Sequence, residues 1–327
     1  MKICVIGAGA WGTALANLLH QNQHHVTLWG HDPRGLDEIR RNRRNERYLP
    51  GIDLPRDLQL ESDLERAVKE AACVVVAVPS KVLREVTAPL RDYRGLAVTV
   101  TKGIEFETGL TMSGVLASTM PHAQVAALSG PTLALEVARN IPAAIVAANH
   151  DEKNAEIVRQ LFVRPTFRVY TSTDLLGVEL GGALKNVIAI AAGTSDGLGF
   201  GDNSKAALIT RAIVEMRRLG VACGAQGETI SGLSGLGDLV VTCFSRLSRN
   251  RGFGERLGRG EEVKAVVAST PSVAEGYPTA RSAYHLARKL KVETPIIDEV
   301  YAMLYEQKPV KQAVRDLIGR EAKPEQE

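Results

Sequence analysis

The sequence predicts an α/β architecture: an open, doubly wound sheet in residues 1–178, followed by an all-α half in residues 179–327. Three observations predict it. Short apolar runs alternate with helical stretches through the first half, the pattern of an α/β sheet. The first of these runs ends in glycines spaced G-x-G-x-x-G and passes at once into a helix. From about Thr173 onward the pattern is helical, broken by glycines, with no convincing strand.

The first strand is Lys2-Ile3-Cys4-Val5-Ile6, and the turn after it is Gly7-Ala8-Gly9-Ala10-Trp11-Gly12. Gly7 makes the tight strand-to-helix turn. Gly9 lets a pyrophosphate approach the backbone without a Cβ in the way, and Gly12 lets the helix pack close to the strand. The helix N-terminus offers unpaired N–H groups and the positive end of a dipole to phosphate. A second strand, His25–Trp29, ends in Gly30-His31-Asp32. Asp32 stands about 20 residues past the last glycine, where a ribose-binding carboxylate is expected. Strand, turn, helix and acid in this register predict a Rossmann-like dinucleotide-binding domain.

The stretch Arg34–Arg47 is basic but interleaved with acids and lacks aromatics, so it reads as a solvated helix and not a nucleic-acid surface. Arg34 offers a partner for a ribose 2′-phosphate. Tyr48-Leu49-Pro50-Gly51 reads as a turn. Further strands are expected at Leu58–Leu60, Cys73–Val78, Leu96–Val100, Gln124–Leu128, Ala143–Ala148 and Phe167–Tyr170, with helices at Asp63–Glu70, Val82–Leu90 and from Asp151. The run Cys73–Val78 is continuously apolar, as a parallel strand buried on both faces must be. Ligands of such sheets bind beyond the C-terminal strand ends, where Pro79, Lys102 and Gly130 fall.

In the second half, helices are expected at Glu179–Gly193, Lys205–Leu219, Ser272–Lys289 and Thr294–Tyr305. Asn250–Gly258 reads as loop and short helix, and the tail Arg320–Glu327 as a charged, frayed end.

A net charge of +3 demands neither nucleic acid nor an anionic membrane as partner. No apolar run is read as a membrane span. Lys2 leads straight into a strand, so no signal peptide is expected. The four cysteines show no paired spacing and read as reduced thiols of a cytoplasmic protein. No metal-ligand spacing occurs among the seven histidines, and no metal is expected.

Three groups can carry chemistry. Lys185 stands beside Asn186 in an apolar helix, where burial lowers a lysine pKa toward the range useful for acid–base work. A lysine that snorkels from a helix edge fits that position equally. Asp238 lies between Gly237 and an apolar run, either to orient a lysine or as a helix N-cap. Ser248-Arg249-Asn250-Arg251-Gly252 suits a phosphate, or is a polar loop. Lys102 adds a cation at a strand end. This set suits hydride chemistry with a lysine acid and a phosphate clamp.

Taken together, Gly7–Gly12, Tyr48–Gly51, Thr101–Gly103, Ser129–Thr132, Gly181–Asn186, Asp196–Asn203, Gly237–Leu239 and Ser248–Asn250 resemble the bacterial type of NAD(P)-dependent glycerol-3-phosphate dehydrogenase, over nearly the whole chain. The resemblance implies reversible reduction of dihydroxyacetone phosphate to sn-glycerol 3-phosphate, feeding glycerophospholipid synthesis, with NAD or NADP as cofactor. It implies Lys185 as proton donor and acceptor, with Lys102, Asp238 and Thr242 beside it. Arg249 and Asn250 would hold the substrate phosphate, with Ser248, Gly130 and Thr132 closing the site. Gly7, Gly9, Ala10, Trp11, Gly12, His31, Asp32, Lys102, Ala134, Arg249, Val273 and Glu275 would line the cofactor. Ala10 stands where many bacterial members have serine, which removes one hydroxyl and leaves the backbone role. A homodimer is expected from the family. A dehydrogenase of β-hydroxy acids could use the same Arg249 and Lys102, and a non-catalytic nucleotide sensor would need neither Lys185 nor Asp238.

Overall fold

A computed structural model of the chain describes residues 1–269, 274–321 and 324. The first half contains β1 (Lys2–Ile6), α1 (Ala10–Gln21), β2 (His25–Trp29), α2 (Pro33–Asn42), β3 (Arg44–Asn45), β4 (Leu49–Asp53), β5 (Gln59–Glu61), α3 (Leu64–Val68) and β6 (Cys73–Val76). It continues through α4 (Ser80–Thr87), β7 (Leu96–Thr99), α5 (Met112–Thr119), β8 (Gln124–Ser129), α6 (Ala134–Ala138), β9 (Ala143–Ala148), α7 (Glu152–Phe162) and β10 (Phe167–Ser172).

The main sheet has the order β10-β9-β8-β7-β6-β1-β2-β5. From β8 to β5 neighbouring strands are parallel, and the order switches direction between β6 and β1. A crevice for a ligand therefore opens beyond the C-terminal ends of β1 and β6. The central strands are sealed on both faces: Cys4, Val5, Ile6, Val74, Val75 and Val76 have no exposed surface. β9 runs antiparallel to β8 and carries β10 parallel to itself, so the far edge is reversed. Strand–helix alternation alone does not announce that reversal, since the β8–β9 connection contains only the one-turn helix α6.

Two expected elements of the first half take another form. Tyr48–Gly51 is not a free turn: Leu49–Asp53 is a strand that pairs with Arg44–Asn45 in a hairpin held down by buried Leu49 and Ile52. The basic stretch is helical only to Asn42, where Arg43 takes a left-handed conformation at φ 53° and ends α2. The start of the helix expected at Ser272, the cofactor contact Val273 and most of the tail lie outside the described residues.

The second half is helical: α8 (Leu175–Gly197), α9 (Asp202–Ala222), α10 (Gly227–Ile230), α11 (Asp238–Phe244), α12 (Arg249–Gly258), α13 (Val263–Ser269), α14 (Gly276–Leu290), α15 (Pro295–Tyr305) and α16 (Val310–Ile318). α8 begins before residue 179, capped by Asp174, whose carboxylate accepts from Gly177 N at 2.9 Å. The expected boundary between residues 178 and 179 therefore falls inside a helix. α8 is also long and apolar enough to cross a membrane, at mean hydropathy 1.5, contrary to the sequence reading. Since 89% of its apolar window is buried inside the protein, it is the core helix of this half.

Glycines let other backbones reach α8. A Cβ on Gly254 would stand 2.0 Å from Ile190 O, and one on Gly193 would stand 1.9 Å from Arg251 O. α8 and α12 thus cross in backbone contact. Glu179 joins α8 to the first half. Its buried carboxylate accepts from Ser113 N at 2.8 Å, from Thr111 Oγ1 at 2.8 Å and from Ser113 Oγ, closing the N-terminus of α5. Burial raises its pKa against those hydrogen bonds.

Candidate active site

The glycine turn departs from β1 with Gly7 at φ 124°, a conformation that favours glycine. A Cβ there would stand 2.6 Å from Ala77 O, and one on Gly12 would stand 1.9 Å from Gly7 O. Gly9 differs, because a Cβ on it would meet nothing within 4 Å. It faces open space at the N-terminus of α1, and no side chain caps that first turn. Among the described residues, the N–H groups of Gly9 and Ala10 donate to nothing in the chain. A concave turn with free N–H donors at a helix N-terminus fits the pyrophosphate of a dinucleotide.

His31 is exposed beyond β2, and Asp32 follows it. The Asp32 carboxylate caps α2 by accepting from Arg34 N at 3.1 Å, and Arg47 lies 3.6 Å from its other oxygen. One residue thus ends the strand and starts the helix while presenting a carboxylate at the crevice edge. Ala134 opens α6, behind the Gly130–Thr132 turn.

A second cluster forms where the two halves meet. Lys102 follows β7. Its Nζ donates to Gly130 O at 3.2 Å and is paired with Asp238 Oδ2. Lys185, on α8, donates to Thr242 Oγ1 at 2.7 Å and lies 3.0 Å from Asp238 Oδ1. Thr242 Oγ1 in turn donates to Asp238 O at 2.6 Å. One carboxylate, 1% exposed, thus holds two ammonium groups from opposite halves. Lys185 is itself 7% exposed, so it does not snorkel. Burial drives its pKa down to about 8; the attraction of Asp238 opposes the drop, and the repulsion of Lys102 adds to it.

Local structure explains the convergence. Asp238 is the first residue of α11 and caps nothing with its side chain. It follows a single π-type turn, Leu233–Gly237, a rare form frequent at functional sites. A Cβ on Gly181 would stand 3.0 Å from Gly235 Cα, so this turn lies directly on α8. A Cβ on Gly182 would stand 2.4 Å from Ser129 Oγ and 3.4 Å from Lys102 Cγ, so a side chain there would exclude the Lys102 loop.

A third group lies beside it. Asn186, next to Lys185, accepts from Asn250 Nδ2 at 2.8 Å, and Gly276 N donates to Asn250 Oδ1 at 2.8 Å. Arg249 is exposed at the start of α12, yet the protein around its guanidinium lowers its pKa by desolvation, with the Glu275 charge opposing. Glu275 accepts from Ser80 N at 3.0 Å and from Ser80 Oγ, bridging the end of β6 to the helical half. Burial raises its pKa against those bonds and the Arg249 charge.

The expected residues divide accordingly. Lys102, Gly130, Lys185, Asp238 and Thr242 form one hydrogen-bonded cluster, and Thr132 Oγ1 donates to the same Gly130 carbonyl at 3.2 Å. Arg249, Asn250 and Glu275 flank it. Ser248 is the N-cap of α12, where its Oγ accepts from Arg251 N at 3.2 Å, which leaves its O–H proton to donate. Arg251 turns instead to Asp196 at 2.6 Å. Asn186 and Ser80 join the site without having been assigned to it. Asn186 carried a signal, a buried amide beside the lysine; Ser80 carried only its place at a strand end.

Comparison with known proteins agrees with this geometry. Residues 2–155 match the model of the NAD-dependent glycerol-3-phosphate dehydrogenase N-terminus, and residues 174–315 that of the C-terminus. The chain is 48% identical to glycerol-3-phosphate dehydrogenase [NAD(P)+] of Chlorobium phaeobacteroides, over 99% of each chain. It is 50% identical to the protein of that name from Geobacter sulfurreducens, over 99% of this chain and 98% of the relative. The crystal structure of glycerol-3-phosphate dehydrogenase from Coxiella burnetii superposes with a TM-score of 0.94 at 37% identity, over 98% of this chain and 99% of that one. With both halves matched in order, the chain belongs to the NAD-dependent glycerol-3-phosphate dehydrogenase family.

Proposed function

We propose that this chain reduces dihydroxyacetone phosphate reversibly to sn-glycerol 3-phosphate with NADH or NADPH. The observation that carries the reading is Lys185, a buried amine with a pKa near 8 held against Asp238 at 3.0 Å. A bound nicotinamide supplies the hydride. Lys185 gives its proton to the carbonyl oxygen of the substrate as that oxygen becomes an alkoxide, and takes it back in the reverse direction. Asp238 fixes both ammonium groups, and Lys102 adds a second positive charge beside the developing oxyanion. Arg249, with Asn250 oriented by Asn186, binds the substrate phosphate.

In this reading Gly7, Gly9, Ala10, Trp11 and Gly12 receive the cofactor pyrophosphate, and His31 and Asp32 the adenosine ribose. Glu275 and Ala134 would also touch the cofactor. Residues 1–178 bind the dinucleotide, and residues 179–327 supply the proton donor and the phosphate clamp. The enzyme acts as a cytoplasmic homodimer, and its product feeds glycerophospholipid synthesis.

The test is oxidation of NADH and, separately, of NADPH at saturating dihydroxyacetone phosphate, beside a β-keto acid control. Turnover with the phosphorylated ketone alone supports the reading, and the two rates give the cofactor preference. Turnover with the acid alone would replace it by a β-hydroxy acid dehydrogenase.

A further inference from the structure

The hairpin β3–β4 carries a side chain that the reaction does not use and the sequence does not single out. Asn45 is 3% exposed and satisfied on both sides of its amide. Its Nδ2 donates to Ala8 O at 2.9 Å and to Thr13 Oγ1 at 2.8 Å. Its Oδ1 accepts from Tyr48 N at 3.3 Å, which sets the orientation of the amide within the hairpin. The hairpin is anchored in turn by Leu49, Ile52 and Leu54 in the core. A rigid element thus reaches across to the middle of the glycine turn and the first turn of α1.

We propose that Asn45 is a positioning residue for dinucleotide binding, which locks the Ala8–Gly9 peptide so that the turn keeps its donors toward the crevice. A trans peptide is planar, with its C=O and N–H pointing in opposite directions. Holding the Ala8 carbonyl on Asn45 therefore aims the Gly9 N–H away from the hairpin. The Ala8–Gly9 peptide turns on Ala8 ψ and Gly9 φ, and the second is unrestricted because Gly9 has no Cβ. Nothing packs within 4 Å of where a Gly9 Cβ would stand, and the 2.9 Å bond from Thr13 N to Gly9 O holds the next peptide, Gly9–Ala10, and not this one. The Asn45 amide supplies the restraint that the glycines lack. Without it the donors must be ordered at the moment of binding, at a cost in affinity.

The inference rests on the dinucleotide reading of the turn, and its test separates the two. NADH and NADPH binding to the apo-protein is measured by calorimetry for wild type, Asn45→Ala and Asn45→Asp. Asn45→Asp keeps the size and the Tyr48 contact, loses both donors and sets a carboxylate against the Ala8 carbonyl. We expect the dinucleotide Kd to rise about tenfold for Asn45→Ala and further for Asn45→Asp, in proportion to lost hydrogen bonds of ordinary strength. The KM for dihydroxyacetone phosphate at saturating cofactor should stay within about twofold, which a general loosening of the fold would not allow.

Variants that fold and bind dinucleotide as wild type does would overturn the role of Asn45. A wild type that binds no dinucleotide would overturn the reading of the turn itself. If neither variant folds, the side-chain amide protons of Asn45 in the wild type decide. Slow exchange, with the Gly9 amide resonance shifting on cofactor titration, supports the proposal; rapid exchange with no shift refutes it.

Discussion

Lys185 Nζ lies 3.0 Å from Asp238 Oδ1, on the carboxylate whose other oxygen takes Lys102. The three side chains come from α8, the start of α11 and the loop after β7, so the charge cluster exists only when the two halves are assembled. Removing Lys185 leaves Asp238 still neutralised by Lys102. Lys185→Ala should therefore fold and bind cofactor close to normally while kcat falls by about 10²–10⁴-fold, the usual worth of a positioned proton donor. Substantial turnover at saturating substrate would sink the role given to Lys185.

The same pair sets a pH dependence. Reduction needs the Lys185 ammonium, so its rate should fall as pH rises through about 8. Oxidation needs the free amine and should rise across the same interval. Asp238→Asn removes the main attraction that opposes burial of the Lys185 charge, so the pKa falls further and both limbs move to lower pH. Rate profiles of the two directions between about pH 6 and 10 would show the shift. A profile unmoved by Asp238→Asn would mean that another group titrates.

The glycine turn was legible because each glycine answers a local demand, and the contacts at Gly7 and Gly12 are with atoms a few residues away or on the adjoining strand. Lys185 was legible as a polar residue misplaced in an apolar helix. Asp238 alone read equally as an N-cap, and only the resemblance put it and Lys102 beside Lys185, because Lys102 and Asp238 are 136 residues apart and nothing local links them. Ser248 was legible in two ways at once, because a hydroxyl at the start of a helix fits a phosphate and an N-cap equally, and capping through its oxygen leaves its proton to donate. The hairpin was hidden by Pro50 and Gly51, which read as a turn. They are tolerated because this strand pairs on one side only, within a two-stranded sheet.

Arg249 tests the phosphate clamp. Its guanidinium pKa is lowered by desolvation, with the Glu275 charge opposing, although the residue stands exposed at the start of α12. Arg249→Ala should lower kcat/KM for dihydroxyacetone phosphate by about 10²-fold or more, the loss of charge-assisted hydrogen bonds. For unphosphorylated dihydroxyacetone, kcat/KM should be nearly unchanged. Equal losses with both ketones would place Arg249 elsewhere in the reaction.

Glu215 makes the fold itself pH-sensitive. Its buried carboxylate accepts from Ile296 N at 2.9 Å and Ile297 N at 2.8 Å, capping α15, and burial raises its pKa from 4.5 to about 8. Between those values the folded state binds a proton that the unfolded state has released. This group therefore stabilises the fold at low pH, and that contribution declines as pH rises from about 4.5 to about 8. Chemical denaturation across this range should show the decline in wild type and a flatter dependence in Glu215→Gln. Parallel curves would mean that Glu215 is ionised throughout.

The crossing of α8 and α12 yields the sharpest contrast in the helical half, because two glycines of one helix predict opposite outcomes. A Cβ on Gly254 would meet Ile190 O at 2.0 Å, and backbone cannot move aside as a side chain can. Gly254→Ala must push α12 off α8, at a cost of about 3 kcal/mol or more in stability. The same displacement pulls Asn250 from Asn186 and moves Arg249, so the KM for the phosphorylated substrate should rise even where the protein still folds. Gly252 sits in the same helix, yet a Cβ there meets nothing within 4 Å. Gly252→Ala should therefore stabilise the protein by about 0.5–1 kcal/mol, because it restricts the unfolded chain. Denaturant titration of the two variants reads both signs; destabilisation of similar size in each would mean that helix propensity, not the backbone contact, governs these positions.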